Sequence, residues 1–248
     1  MYKLDYNQNI AFVADVHLKT DDDPSLEKIL IFLDGLKNEE VKHLFILGDF
    51  FNFWVNSRFL IQKAYAPVLE KFKDLHQSGI KITYLTGNRD FLITWYYRDR
   101  DEVEIFDKPL LGKLGDKTIY LAHGDELCSN DQHYQFYKTI IRNRLLGLLI
   151  RSLPGKIKEA IAQHMSKTSR KIIKDKTKET LGVTEPALEK IFDRGVDIVI
   201  HGHTHNNYMR EVETSGKKKK VFGLGDWSKT GHFLLYNASN RKFIQKQI

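Results

Sequence analysis

The sequence predicts an α/β fold, and three observations carry that prediction. Short apolar, β-rich runs alternate with stretches of helical periodicity. Five of those runs end directly on a short segment of carboxylate, amide or imidazole side chains. One long basic segment breaks the alternation and reads as helical throughout.

In chain order, Ile10 to Ala14 reads as a buried strand and runs into Asp15-Val16-His17. A helical pattern from Ser25 to Leu36 follows Pro24, and a second strand, Leu44 to Leu47, leads into Gly48-Asp49. The span from Phe59 to His76 has helical spacing. Ile82 to Leu85 precedes Gly87-Asn88-Arg89-Asp90, and Ile119 to Ala122 precedes His123-Gly124-Asp125. From about Glu126 to Leu181 the pattern is helical, apolar at Tyr137, Ile140, Ile141, Leu145, Leu148 and Leu149. This segment is expected as a helical insertion, or lid, in a single domain covering residues 1–248. A last helical pattern, Leu188 to Asp193, leads to the strand Ile198 to Ile200 and to His201-Gly202-His203-Thr204-His205. Tyr208 to Glu213 and Val221 to Leu224 flank Thr214-Ser215-Gly216, the signal of a hairpin. Lys217 to Lys220 beside it read as a solvated edge rather than a binding patch. Ligand-type side chains just past strand C-termini are where α/β sheets place their sites.

The whole chain carries a net charge of +7, but the excess is local. Between Lys138 and Lys178 twelve basic residues face only Glu159 and Asp175, a local +10 that leaves the remainder at −3. Such a segment suits an anionic substrate, an anionic membrane surface or nucleic acid. No apolar run reaches the ~18 residues of a transmembrane helix. The N-terminal residues lack the layout of a secretory signal. Cys128 is alone, so no disulfide framework is expected, which fits a reducing cytoplasm.

The five polar segments share one chemistry. Asp15 and His17, like His203 and His205, are spaced so that both can reach one ion. Imidazole and carboxylate donors without thiolate suit a borderline divalent ion such as Mn, Fe, Co or Zn. A carboxylate such as Asp49 can bridge two ions about 3.5–4 Å apart, which would hold a hydroxide and clamp phosphate oxygens. Each segment alone has a plainer reading: Gly-Asp and Gly-Asn are common turns. Three histidines in five residues are rare outside a metal site.

At these residues the chain resembles the calcineurin-like metallophosphoesterase superfamily, whose motifs D-x-H, G-D, G-N-[HR]-[DE], H-G and G-H-x-H are met in order from residue 15 to 205. The resemblance implies a two-sheet αββα sandwich. It implies one ion on Asp15, His17, Asp49 and His205 and another on Asp49, Asn88, His123 and His203. His201 is expected to be structural. A finer resemblance is to the UDP-2,3-diacylglucosamine diphosphatase family of lipid A biosynthesis. It rests on Gly48 to Trp54, Gly87 to Leu92, His123 to Asp131, Leu224 to Trp227 and the helical insertion. That resemblance implies two divalent ions, typically Mn, and cleavage of the substrate's pyrophosphate to UMP and 2,3-diacylglucosamine 1-phosphate. It implies a catalytic set of Asp49, Asn88 and Arg89. Substrate contacts would come from Asn88, Arg89, Asp131, Tyr134, Ser169, Lys176 and His203. The sequence departs from that family's usual pattern at Asn52, where an acid is common, and near Ile173, where an Asn is common.

Arg89 bears on the substrate. An alcohol leaving group needs a proton, whereas a phosphate monoester, with a second pKa of about 6, departs without one. A permanently charged guanidinium serves the latter better than a histidine. The plainer reading is a surface arginine paired with Asp90. With the resemblance, the partners implied are a lipid-linked UDP-sugar and an anionic membrane surface, with a cytoplasmic location, peripheral on the inner membrane, and no nucleic acid. Nothing in the sequence sets an oligomeric state. Rival readings are a nuclease or phosphodiesterase of the same superfamily, a metal-poor binding scaffold, and nucleic-acid binding by residues 138–178.

Overall fold

A computed structural model describes residues 1–19, 25–58, 61–129, 144–174, 182–214 and 216–248. Two six-stranded sheets lie face to face. One has the order β12-β11-β2-β3-β4-β5 and is built from β2 (Asn9–Val13), β3 (Val41–Leu47), β4 (Lys81–Leu85), β5 (Glu104–Phe106), β11 (His232–Asn237) and β12 (Lys242–Gln247). The other has the order β1-β6-β7-β8-β10-β9. It contains β1 (Tyr2–Leu4), β6 (Leu110–Leu114), β7 (Lys117–Ala122), β8 (Ile198–His201), β9 (Tyr208–Thr214) and β10 (Lys217–Gly223).

The central strands are apolar on both faces because each face meets a different layer. Ile10, Phe12, Phe45 and Leu47 point between the sheets, against Ile119, Leu121, Ile198 and Ile200. Their neighbours Ala11, Val13, Leu44 and Ile46 point the other way. There they meet Ile29 and Leu33 of α1 (Ser25–Asn38) and Val68 and Phe72 of α2 (Ala66–Gln77). On the far side Tyr120, Ala122, Val199 and Val221 meet Leu188, Ile191 and Phe192 of α5 (Glu185–Phe192). Period-two alternation thus yields the helix–sheet–sheet–helix sandwich that the resemblance implied.

The described part of the basic segment is helical, as α3 (Arg144–Ser152) and α4 (Gly155–Lys174). Ala162 joins the helix-side cluster, with Ile150 and Met165 packed against it. Ser57 donates to the Glu159 carboxylate at 2.7 Å, tying α4 to the loop after β3.

The described part of the helix expected over Phe59 to His76 is helical, with one irregularity: Ile61–Tyr65 forms a wide π turn before the α-helix Ala66–Gln77. Pro67 sits in the first α turn, where its missing N–H costs nothing. One expectation needs correction: the four lysines do not lie on a sheet edge, although Lys217, Lys218 and Lys220 are solvated as expected. β10 lies between β8 and β9, Lys219 is buried and pairs with Asp197 at 2.9 Å, and Lys218 and Lys220 flank Glu211.

Candidate metal centre

β2, β3 and β4 run parallel in one sheet, and β7 and β8 run parallel in the other. The loops leaving these five C-terminal ends carry Asp15 and His17, Asp49, Asn88, His123, and His203 with His205. Backbone bonds stitch the loops together. Asp15 N donates to Gly48 O at 3.1 Å, His17 N to Asp49 O at 2.9 Å, and Gly202 N to His123 O at 2.8 Å. Asp15, His17, Asp49, His203 and His205 all adopt positive φ, between 52° and 67°. Left-handed backbone is unfavourable for non-glycine residues and persists where the surroundings over-determine it.

Asp15 is fully buried, and its Oδ2 accepts from His203 N at 2.6 Å. Its Oδ1 lies 3.7 Å from His205 Nε2 and 3.9 Å from His17 Nε2 and accepts no hydrogen bond. His17 Nε2 and His205 Nε2 are 3.0 Å apart, and His17 Nδ1 is buried with no hydrogen-bond partner. Beside this group, Asp49 Oδ2 lies 4.0 Å from His17 Nδ1 and 3.7 Å from His123 Nε2. His123 Nε2 is in turn 2.9 Å from Asn88 Oδ1 and 3.2 Å from His203 Nδ1. Asp49 therefore stands between two clusters of donors. The ligand atoms of Asp15, His17 and His205, and those of Asp15, Asp49 and His123, each fall within 4.8 Å of one another.

These atoms fit divalent ions. A buried carboxylate oxygen without a donor and converging imidazole nitrogens are costly unless a cation sits among them. Burial pushes Asp15 up to about 6. Burial, reinforced by the Arg89 guanidinium and neighbouring imidazoles, holds His17 well below its ordinary value. Burial opposes charge on His123, yet the Asp49, Asp15 and Asp125 carboxylates outweigh it and raise the group to about 9. An ion would displace such a proton and leave His123 a neutral ligand.

The supporting residues are as specific as the ligands. Asp90 is fully buried and accepts from Gly87 N at 2.8 Å, from Phe50 N at 2.9 Å and from the Tyr84 hydroxyl. It clamps the β3 and β4 loops together and is not the partner of Arg89. Arg89 is no surface arginine: it is buried, its Nε is 3.4 Å from Asp49 Oδ2, and its Nη1 donates to Asn52 Oδ1 at 2.9 Å. A Cβ on Gly87 would overlap Asp49 Oδ1, so only glycine fits against that carboxylate. His201 has both ring nitrogens engaged, by Gly202 O at 2.8 Å and the Tyr208 hydroxyl at 2.7 Å, as expected of a structural histidine. Asp226 sits 3.6 Å from His205 Nδ1, a carboxylate behind an imidazole that sequence reading did not single out. Its signal was present: Gly225-Asp226 follows a strand as Gly48-Asp49 does. Of the other expected substrate contacts, Asp131, Tyr134 and Lys176 lie outside the described residues, as does the side chain of Ser169.

The chain is similar to known proteins. The calcineurin-like phosphoesterase family model matches residues 8–207. A UDP-2,3-diacylglucosamine hydrolase of Pseudomonas putida (strain F1) is 30% identical over 225 residues, covering 90% of this chain and 92% of that one. The protein of the same name from Histophilus somni (strain 2336) is 30% identical over 237 residues, covering 94% and 98%. The solved structure of an archaeal phosphodiesterase shares the fold at 16% identity, with a TM-score of 0.51 over 97% of this chain and 99% of that one.

Proposed function

The chain belongs to the calcineurin-like phosphoesterase family, and on that premise we propose that it hydrolyses the pyrophosphate bond of UDP-2,3-diacylglucosamine to UMP and 2,3-diacylglucosamine 1-phosphate, a step of lipid A biosynthesis. The enzyme class follows from the family; the substrate is our reading, and the names of the relatives support it. The observation that carries it is the buried Arg89 guanidinium beside Asp49. It offers a fixed positive charge and no titrating proton where the scissile phosphate would sit. That suits departure of a phosphate monoester, which leaves as a stable anion.

Asp15, His17, Asp49 and His205 would hold one divalent ion, and Asp49, Asn88, His123 and His203 the other. Bound there, the ions supply Lewis acidity and a nucleophile at neutral pH. Manganese is our choice, in keeping with the nitrogen and oxygen donors. The chain's own residues do the rest. Asp49 spaces the two clusters, Asp90 keeps their loops in register, and Arg89 neutralises a phosphate oxygen as the bond breaks. Asn88, Arg89 and His203 would contact the diphosphate, and Asp131, Tyr134, Ser169 and Lys176 the lipid-bearing half.

The same reading puts the enzyme on the cytoplasmic face of an anionic membrane, with no role for nucleic acid. No helix among the described residues is long and apolar enough to cross a bilayer. Leu148 and Leu149 of α3 and Ile157 of α4 are exposed beside Lys156, within the segment of net +10. Apolar side chains among lipid headgroups, flanked by lysines, are a mode of peripheral attachment. Co-sedimentation with phosphatidylglycerol vesicles, lost in Leu148→Ser/Leu149→Ser, is the expected result; equal pelleting of the variant would remove this contact.

The deciding assay is UMP release from UDP-2,3-diacylglucosamine with added Mn. Cleavage of cyclic nucleotides or single-stranded DNA in its place would overturn the substrate.

A further inference from the structure

We propose that the cleft beneath α4 is a second ligand site, separate from the metal centre, which takes the phosphate group of an anionic organic molecule.

The cleft has a volume of about 610 Å³ and lies where α4, the π turn Ile61–Tyr65, the start of α2 and the end of the 3-10 helix Phe91–Trp95 come together. Neither Arg89 nor any candidate metal ligand is among its described lining residues. Asn56, on the wall, turns its carboxamide inward. Its Oδ1 accepts from Trp54 Nε1 at 2.6 Å and its Nδ2 donates to Leu92 O at 3.1 Å. Trp54 N donates in turn to Arg89 O at 2.9 Å. The buried Trp54 thus links the cleft wall to the metal centre without opening one into the other.

The lining combines two kinds of surface. Ile61, Leu69 and the Trp95 ring are apolar, whereas Arg58, Arg100 and Lys158 bring three cations. The carboxylates nearby are engaged elsewhere. Glu70 accepts from Lys73 Nζ at 2.8 Å, and Glu159 accepts from Ser57 Oγ at 2.7 Å. Arg100 is held over the Tyr96 ring, 4.5 Å from its centroid, with Glu102 at 3.7 Å. Lys158 is only 9% exposed, and among the described residues no carboxylate pairs with its ammonium or with the Arg58 guanidinium.

Covering a lysine without a counter-charge costs folding free energy, and a lysine that served only for packing would carry its ammonium out to open water. Lys158 lines the cleft instead, so an anion docked there recovers the cost. A phosphate presents oxygens on several sides and can meet a guanidinium and an ammonium at once. Inorganic phosphate would leave most of this volume empty. The apolar wall and a volume in the usual range of ligand sites, about 300–1,000 Å³, call for an organic part attached to it. Two sources share that chemistry. One is the headgroup of a membrane phospholipid, since Ile157 beside Lys158 is exposed on α4. The other is a soluble phosphate ester.

The test is calorimetric titration of Mn-loaded protein with monomeric dihexanoyl phosphatidylglycerol and, separately, with glycerol 3-phosphate. Wild-type protein is compared with K158M, K158R, R58M and K156M. Removing either lining cation is expected to weaken binding by roughly 10-fold, the weight of one contact to a charged group. K158R keeps the wild-type affinity within about 3-fold, and K156M, which changes an exposed lysine of the same helix, moves it by no more than about 2-fold. Sensitivity to K158M and R58M with the lipid alone identifies a phospholipid headgroup; the same sensitivity with glycerol 3-phosphate identifies a soluble ester. Phosphate held at the metal centre would be indifferent to both changes. Affinities unchanged in K158M, K156M as weak as K158M, or K158R as weak as K158M would each overturn the site. The first leaves no role for the lysine, the second reduces the effect to diffuse charge, and the third reduces it to packing.

Discussion

At the scale of single residues, several ligand-type side chains are backed by a second group that sets their direction. Asp226 behind His205 is the clearest case. Burial works against a charge on His205, but the Asp15 and Asp226 carboxylates raise its pKa, and Asp226 at Nδ1 turns Nε2 toward Asp15. Asp226→Asn keeps the shape and loses the charge. It should weaken metal binding by about 10–100-fold with little change in fold, read by calorimetric metal titration. Unchanged affinity would reject the pairing. Asp49→Asn should go further and nearly abolish turnover even with excess Mn, because the Asp49 carboxylate faces both His17 and His123. The candidate ligand residues were legible in the sequence, because they lie in short polar segments that follow apolar runs. Asn52 and Asp226 were not legible as supports. Their partners, Arg89 and His205, are distant in sequence, and only the folded loops bring them together.

At the scale of elements, the central strands and the β9–β10 hairpin were legible, and strands such as β6 and β12 were not. β2, β3, β4, β7 and β8 are buried on both faces and so appear as unbroken apolar runs. β6 interrupts its apolar residues with Gly112 and Lys113, and β12 is largely exposed, so neither has such a run. The pairing of β3 with β4 also buries a titratable group. His43 stacks on Phe45 with ring centroids 4.0 Å apart and lies 2.8 Å from Thr83 Oγ1, which donates to Glu104. Burial, helped by the Lys81 ammonium, lowers His43 to about 3 from an ordinary 6.5. The unfolded chain takes up a proton near 6.5 that the folded chain refuses until about 3. Above 6.5 the group therefore leaves stability independent of pH, and stability falls as the pH drops from there toward 3. His43→Phe should flatten this loss between pH 6.5 and 5, as seen by urea denaturation at each pH. Equal slopes for the two proteins would show that another group is responsible.

At the scale of the whole molecule, the site lies where one edge of each sheet layer meets the other, so its occupancy is coupled to the docking of the layers. An ion bound at 100 times its dissociation constant adds about 2.7 kcal/mol to the folded state. For a chain of this size that is about 5–10 °C in Tm. Chelation should lower Tm by that amount and Mn should restore it, measured by scanning calorimetry; an unmoved Tm would mean that the clusters hold no ion. The strand pairing has one more consequence, for the making of the protein. β2, near the start of the chain, is paired along one side by β11, with Leu234 opposite Phe12. Asp15 and His17 leave the ribosome early, while His205 and the strand that closes their sheet follow more than 180 residues later. At ~5–20 residues per second that is a wait of roughly 10–40 s. During it the early ligands are ordinary side chains with no cage around them. Metal acquisition thus becomes a late event in biosynthesis, open only to chains whose distal strands have already come home.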